Sequence, residues 1–260
     1  MQLVANLTMM FTELPVPERF GAAARAGFEG VEIQFPYEFD PAELRRASAD
    51  RPVVLINAPA SDPRGSNGRA TDAALRAEFR QGLDEAMRFA EALRVSKLNV
   101  LPGPPPPGQD AATTDAVLGD NLRLAAERMG GIGVAVVTEA INPWDVPGMW
   151  LNSLGKALSF LDGLDEPRVK LQFDLYHMAR TEPDLVAAIA TAGPRIGHVQ
   201  FADTEGRHEP GTGTIDFDAA FAALHRAGYD GAVAAEYRPA GRTEDGLGWM
   251  ARVPGWFGRV

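Results

Sequence analysis

The sequence predicts a single (β/α)8 TIM barrel spanning residues 1–260. Three observations point to it. Short apolar runs rich in β-branched residues alternate with amphipathic helical patterns along the whole chain, giving eight pairs. One barrel of this kind needs roughly 250 residues, and the chain has 260. Four of the later runs end on a carboxylate or an amide: Val134–Glu139, Val169–Asp174, Ile196–Gln200 and Gly231–Glu236.

The first strand is expected at Leu3–Leu7, followed by a helix at Val16–Ala26 that Gly27 stops. Val31–Phe35 is the second strand. Asp40-Pro41 opens a helix at Pro41–Ser48, with proline in the first turn, where its missing N–H costs nothing. Val53–Asn57 is the third strand, and Asp72 is suited to cap a long helix at Asp72–Leu93. Lys97–Leu101 is the fourth strand, and its helix, Ala111–Met129, ends at Gly130-Gly131. The fifth strand, Val134–Glu139, precedes a helix at Ser153–Leu161 with Ser153 as cap. The sixth, Lys170–Asp174, precedes Pro183–Ala192, where Glu182-Pro183 again sets a proline near the first turn. The seventh, Ile196–Phe201, precedes Phe217–Ala227 and the stop signal Gly228. The eighth, Ala232–Glu236, precedes Thr243–Met250. Strands separated by helices imply parallel neighbours joined by right-handed crossovers. An open doubly wound sheet satisfies the same alternation, but no Gly-x-Gly-x-x-Gly follows the first strand.

The formal charge of −10 argues against a nucleic-acid backbone as the main partner. The absence of cysteine excludes disulfides, thiolate zinc sites and cysteine nucleophiles. Met1–Asn6 does not read as a signal peptide, and no run approaches the length of a membrane span, so a cytoplasmic enzyme with no membrane partner is expected. A homo-oligomer is compatible with the chain. Two loops, Ala58–Ala70 and Pro102–Gly108, follow strands and read equally as walls or lids of a site and as plain surface loops.

In a parallel barrel the C-terminal strand ends lie side by side, so Glu139, Asp174, Gln200 and Glu236 would converge. Three carboxylates and an amide oxygen suit one hard divalent cation, Mg or Mn. Taken alone, Glu139 reads equally as an ion pair to an arginine; four such residues in strand-end register favour a site. His177 lies three residues past Asp174 and is placed in the following loop, facing the mouth. His198 shares a strand face with Gln200 and reads as a core histidine bonded to a neighbouring strand. Arg207 is suited to clamping a carboxylate or hydroxyl. Asn142 and Asp145 are candidates beside the cation, and Asn6 and Asn57 would point into the mouth. Phe35 and Trp144 are candidate apolar walls. Pro210-Gly-Thr-Gly213 forms a tight turn, either structural or donating to a ligand.

Together Ala5-Asn-Leu-Thr-Met9, Gly27-Phe-Glu-Gly-Val-Glu32, Phe35-Pro-Tyr37, Glu139-Ala-Ile-Asn142, Phe173-Asp-Leu-Tyr-His-Met178, Ile196-Gly-His-Val-Gln-Phe-Ala-Asp203, Glu209-Pro-Gly-Thr-Gly213 and Glu236-Tyr237 span almost the whole chain. The set resembles the hydroxypyruvate isomerase family, within the xylose isomerase-like barrels that include ketohexose 3-epimerases. The resemblance implies a divalent cation held by Glu139, Asp174, Gln200 and Glu236, with Glu139 and Glu236 as the proton-transfer pair. It also implies substrate contacts from Asp145, His177 and Arg207. The chain departs from the family at Ile56, where a histidine is usual, at Ala140, where a proline is usual, and at Thr214, where a glutamate is usual. It also lacks the usual run in the Ala58–Ala70 loop. The expected reaction is isomerisation of a small hydroxy-oxo acid, with hydroxypyruvate and tartronate semialdehyde as the family pair. The alternatives are a larger ketose or four-carbon oxo acid at the same site, phosphodiester hydrolysis as in endonuclease IV, and a non-catalytic binding barrel.

Overall fold

A computed structural model describes residues 1–49, 51–60, 68–204 and 206–258. Eight parallel strands pair in sequence order and close on themselves: β1 (Gln2–Asn6), β2 (Gly30–Glu32), β3 (Val53–Asn57), β4 (Lys97–Asn99), β5 (Ala135–Glu139), β6 (Val169–Asp174), β7 (Ile196–Phe201) and β8 (Ala232–Ala235). The open-sheet alternative is thereby set aside. Helices α1 (Val16–Arg25), α2 (Pro41–Ser48), α3 (Arg76–Leu93), α4 (Ala111–Gly130) and α5 (Leu154–Leu164) follow the first five strands. Between β6 and β7 stand two, α6 (Leu175–Thr181) and α7 (Leu185–Ala192); α8 (Phe217–Arg226) follows β7, and a 3-10 segment, Thr243–Arg252, leads into α9 (Val253–Trp256).

Capping explains most helix starts. Asp40, Asp110, Ser153, Asp184 and Asp216 each accept a backbone N–H from the first turn of the helix they precede. Asp72 caps a 3-10 turn ahead of α3. Helix α7 therefore starts at Leu185 under Asp184, two residues later than the proline signal suggested. The helix α6 was not foreseen. Asp174 ends β6 and immediately caps α6 by accepting from Tyr176 N at 2.9 Å, so no loop separates strand from helix. Strands β2 and β4 also stop earlier than expected, at Glu32 and Asn99.

The outer core seals the barrel against its helices. Around α8, Phe221 stacks on Trp256 at 4.7 Å between ring centroids and meets Phe201 edge-on at 5.7 Å. Phe221 is fully buried. Replacing it with alanine leaves a cavity between α8, β7 and α9, and is expected to cost about 3–5 kcal/mol in urea unfolding.

Inside the barrel the lower layers are apolar, with Val4, Leu55, Val137, Ala232 and Ala234 forming one cluster. The upper layer is polar. Strand register sets Asn6 level with Glu32, Asn57 with Asn99, Glu139 with Gln172, and Asp174 with Gln200. Glu236 lies one residue beyond β8, and its backbone N–H continues the ladder to the Phe201 carbonyl at 2.9 Å.

Candidate active site

A cavity of about 540 Å³ opens at the C-terminal mouth of the barrel, where Glu139, Asp145, His177, Arg207, Glu236 and Asn57 all reach its wall. Asp174 and Gln200 lie buried beneath them. Phe35, a candidate wall, lines the cavity; Trp144, the other candidate, is 61% exposed and lies against Arg180. Leu101 brings the fourth strand's loop to the wall. Most of the preceding long loop, residues 61–67, lies outside the described residues.

The carboxylates are held by N–H donors. Glu236 Oε1 accepts from Asn6 Nδ2 at 2.9 Å, Gln34 Nε2 at 2.7 Å and Gln200 Nε2 at 3.0 Å. Glu139 Oε2 accepts from Gln172 Nε2 at 2.8 Å and Asn99 Nδ2 at 3.2 Å. Arg207 bridges Asp174 and Glu236, its Nη2 standing 3.2 Å from Asp174 Oδ2 and in contact with Glu236 Oε2. Its backbone is left-handed, with φ 57°, and Tyr176 lies under its guanidinium at 5.1 Å. Asn6 uses both ends of its amide inside the protein, so it braces the site from below rather than facing the mouth.

Burial dominates the electrostatics. It raises the Glu139 carboxyl well above its ordinary range, helped by the charges of Glu236 and Asp174. It pushes Glu236 up to about 8 and Asp174 to about 6, with Arg207 opposing both shifts. The guanidinium itself stays charged, because Glu236, Asp174 and Glu139 outweigh its own burial. Burial, with Arg207 and Arg180 nearby, drops His177 well below its usual range and keeps it neutral. One guanidinium thus serves three buried carboxylates, which leaves the cluster short of positive charge.

The tautomer of His177 follows from its neighbours. Asn142 Oδ1 accepts from the backbone N–H of Trp144 and of Asp145, so its NH2 end faces His177 Nδ1 at 2.7 Å. Nδ1 therefore accepts and Nε2 carries the proton. Nε2 stands 3.5 Å from Asp174 Oδ2 and 3.9 Å from Glu139 Oε1. Glu139, Asp174 and His177 bring potential ligand atoms within 4.8 Å of one another, and with the proton on His177 Nε2 the two carboxylates are the groups of the three that could take a metal ion. The donor set fits a hard cation, and two buried amide oxygens beside it, Asn99 Oδ1 and Gln172 Oε1, have no hydrogen-bond donor among the described residues.

His198 is buried, but its partner is not on a neighbouring strand. Its Nε2 reaches across the barrel from β7 to Glu32 Oε2 on β2, at 2.9 Å. The turn at Pro210–Gly213 is structural. Asp203 accepts from the backbone of Thr204, Gly211 and Ile215, and a side chain at Gly213 would overlap the Thr204 carbonyl.

The family model described as xylose isomerase-like TIM barrel matches residues 20–253. Over 249 residues the chain is 39% identical to hydroxypyruvate isomerase of Escherichia coli K12, covering 95% of this chain and 96% of that one. The chain belongs to the hydroxypyruvate isomerase family, among the xylose isomerase-like TIM barrels. Within this isomerase family it is also 36% identical to a 2-oxo-tetronate isomerase of Pectobacterium atrosepticum over 251 residues, covering 95% of this chain and 96% of that one. A crystal structure described as AP endonuclease, family 2 from Brucella melitensis superposes with TM-score 0.92 at 36% identity, covering 96% of this chain and 98% of that chain. No described helix is long and apolar enough to cross a membrane.

Proposed function

We propose that this enzyme interconverts hydroxypyruvate and tartronate semialdehyde with the help of one divalent cation, Mg or Mn. The observation that supports this reading is that Glu139, Asp174, Gln200 and Glu236 stand buried at four consecutive strand ends, with Asp174 and Glu236 sharing Arg207 and Gln200 donating to Glu236. Those four residues would hold the cation, which when bound supplies Lewis-acid stabilisation of an enediolate. Every other requirement falls to the chain. Glu236 and Glu139 enter from β8 and β5, two walls of the same cavity, so each can carry a proton at one of the two exchanging carbons. His177 offers its Nε2 proton to a substrate oxygen. Asp145 and Asn57 would meet substrate hydroxyls from the cavity wall, and Arg207 would take a substrate carboxylate or hydroxyl. Placement in the cytoplasm and use of a small hydroxy-oxo acid or sugar belong to the same reading.

A four-carbon 2-oxo acid is the second candidate substrate, favoured by the 2-oxo-tetronate isomerase relative and by a cavity roomy for a three-carbon acid. Duplex DNA is not, since the mouth carries an acidic cluster and the whole chain a charge of −10. Metal-stripped protein is expected to turn over neither oxo acid and to regain turnover when Mg or Mn is added. Comparing kcat/KM for hydroxypyruvate and a 2-oxo-tetronate identifies the substrate. Cation-independent turnover, or none of either acid with cation bound, would overturn the reading.

A further inference from the structure

Glu32 is a buried carboxylate that the proton-transfer scheme leaves idle. It ends β2, has no exposed surface and does not line the cavity. Three N–H groups nevertheless converge on it: Gln200 Nε2 at 2.6 Å and Asn6 Nδ2 at 2.8 Å on Oε1, and His198 Nε2 at 2.9 Å on Oε2. Lys97, entering from β4, adds a favourable charge. Four side chains from three strands, β1, β4 and β7, are therefore arranged around one side chain that does not line the cavity.

Gln200 gives the arrangement a purpose. The carboxylates of the proposed ligand set present oxygen at both ends, but an amide presents oxygen at one end and NH2 at the other. A half-turn about the last side-chain bond would aim two N–H groups at a cation. The end of Gln200 that lies on Glu32 and Glu236 is NH2, donating to them at 2.6 Å and 3.0 Å. Its Oε1 is turned the other way, 2.7 Å from Gln172 Nε2. Glu236 is the weaker anchor for that orientation: it lies 3.0 Å from Gln200 Nε2 against 2.6 Å for Glu32, and the same oxygen also takes Asn6 and Gln34.

We propose that Glu32 is a positioning residue that, from beneath the site, fixes the Gln200 amide so that its oxygen faces the cation. The inference rests on the ligand set proposed above. Residues that orient metal ligands typically affect metal affinity about 10–100-fold. The test is a double-mutant cycle read by Mn2+ affinity, measured by calorimetry without substrate, each variant first shown to be folded by circular dichroism. In the natural background, Glu32→Gln is expected to weaken Mn2+ binding about tenfold. In a Gln200→Glu background both ends of the ligand are oxygen, so there is no orientation left to fix. There Glu32→Gln is expected to leave affinity unchanged or to improve it, by removing a like charge. Equal losses in both backgrounds would mean that Glu32 only supports the fold, and no loss in the natural background would overturn the proposal outright. Glu32→Asp, which withdraws the acceptor by one methylene, runs through the same cycle where Glu32→Gln does not fold. An unaltered protein that binds no Mn2+ overturns the ligand set itself, and that result precedes any variant.

Discussion

Glu236→Gln is expected to lower kcat on the order of 1,000-fold, with little change in KM and no loss of folded protein. Glu236 is held on both oxygens: by Arg207 on one, and by Asn6, Gln34 and Gln200 on the other. Glutamine keeps the shape but carries no proton from carbon to carbon, and loss of a positioned general base costs typically 10²–10⁴-fold. It also removes a charge that burial already disfavours. Thermal melting should therefore show a variant as stable as the parent, which separates chemistry from unfolding. A Glu236→Gln enzyme with near-full turnover would remove Glu236 from the proton path.

The second large effect is on stability. A cation at a hundredfold excess over Kd adds about 2.7 kcal/mol, which for a chain of this size is roughly 5–10 °C in Tm. The effect depends on pH, and the sign follows from the burial of Glu236. Its folded value, raised to about 8, lies above its ordinary 4.5, so the folded protein keeps a proton that the unfolded chain has lost. Stability of the cation-free protein is then highest at the acidic end of that interval and is lost as pH rises through about 8. His177 acts oppositely, because its depressed value lets stability climb as pH approaches 6.5 from below. The window above it is therefore dominated by the carboxylates. Cation-free Tm is expected to fall between about pH 7 and about pH 8, while the gain on adding Mg2+ grows over the same interval. A gain independent of pH would show that the cation binds away from these carboxylates.

Much of this architecture was legible in the sequence because barrel strands are short, apolar and separated by capped helices. Both boundaries of β3 and β7 and of helix α2 fell where the β-branched runs and the Asp40-Pro41 pair placed them. Glu139 and Asp174 were visible as polar residues closing apolar runs. Glu32 and Asn99 carry the same signal, but it was masked. Both were placed in mid-strand because Ile33 and Val100 prolong the apolar pattern past the point where β2 and β4 stop pairing. The register shift between β2 and β3 is a three-dimensional event that a linear pattern does not record. Gln172 was overlooked for a different reason: amides inside a buried strand look like noise until a carboxylate is seen to accept from them. His177 was assigned to a loop because nothing in the chain announces a residue that ends a strand and caps a helix at once.

Asn6 holds both Glu32 and Glu236, and its bond to Glu236 crosses the closing seam of the barrel between residues 230 positions apart. That bond cannot form until β8 has been made and brought beside β1. Contacts of such separation form late and slowly. A nascent or truncated chain would have its early strands in place and no complete acidic pocket. Assembly of the pocket thus coincides with closure of the seam between β1 and β8.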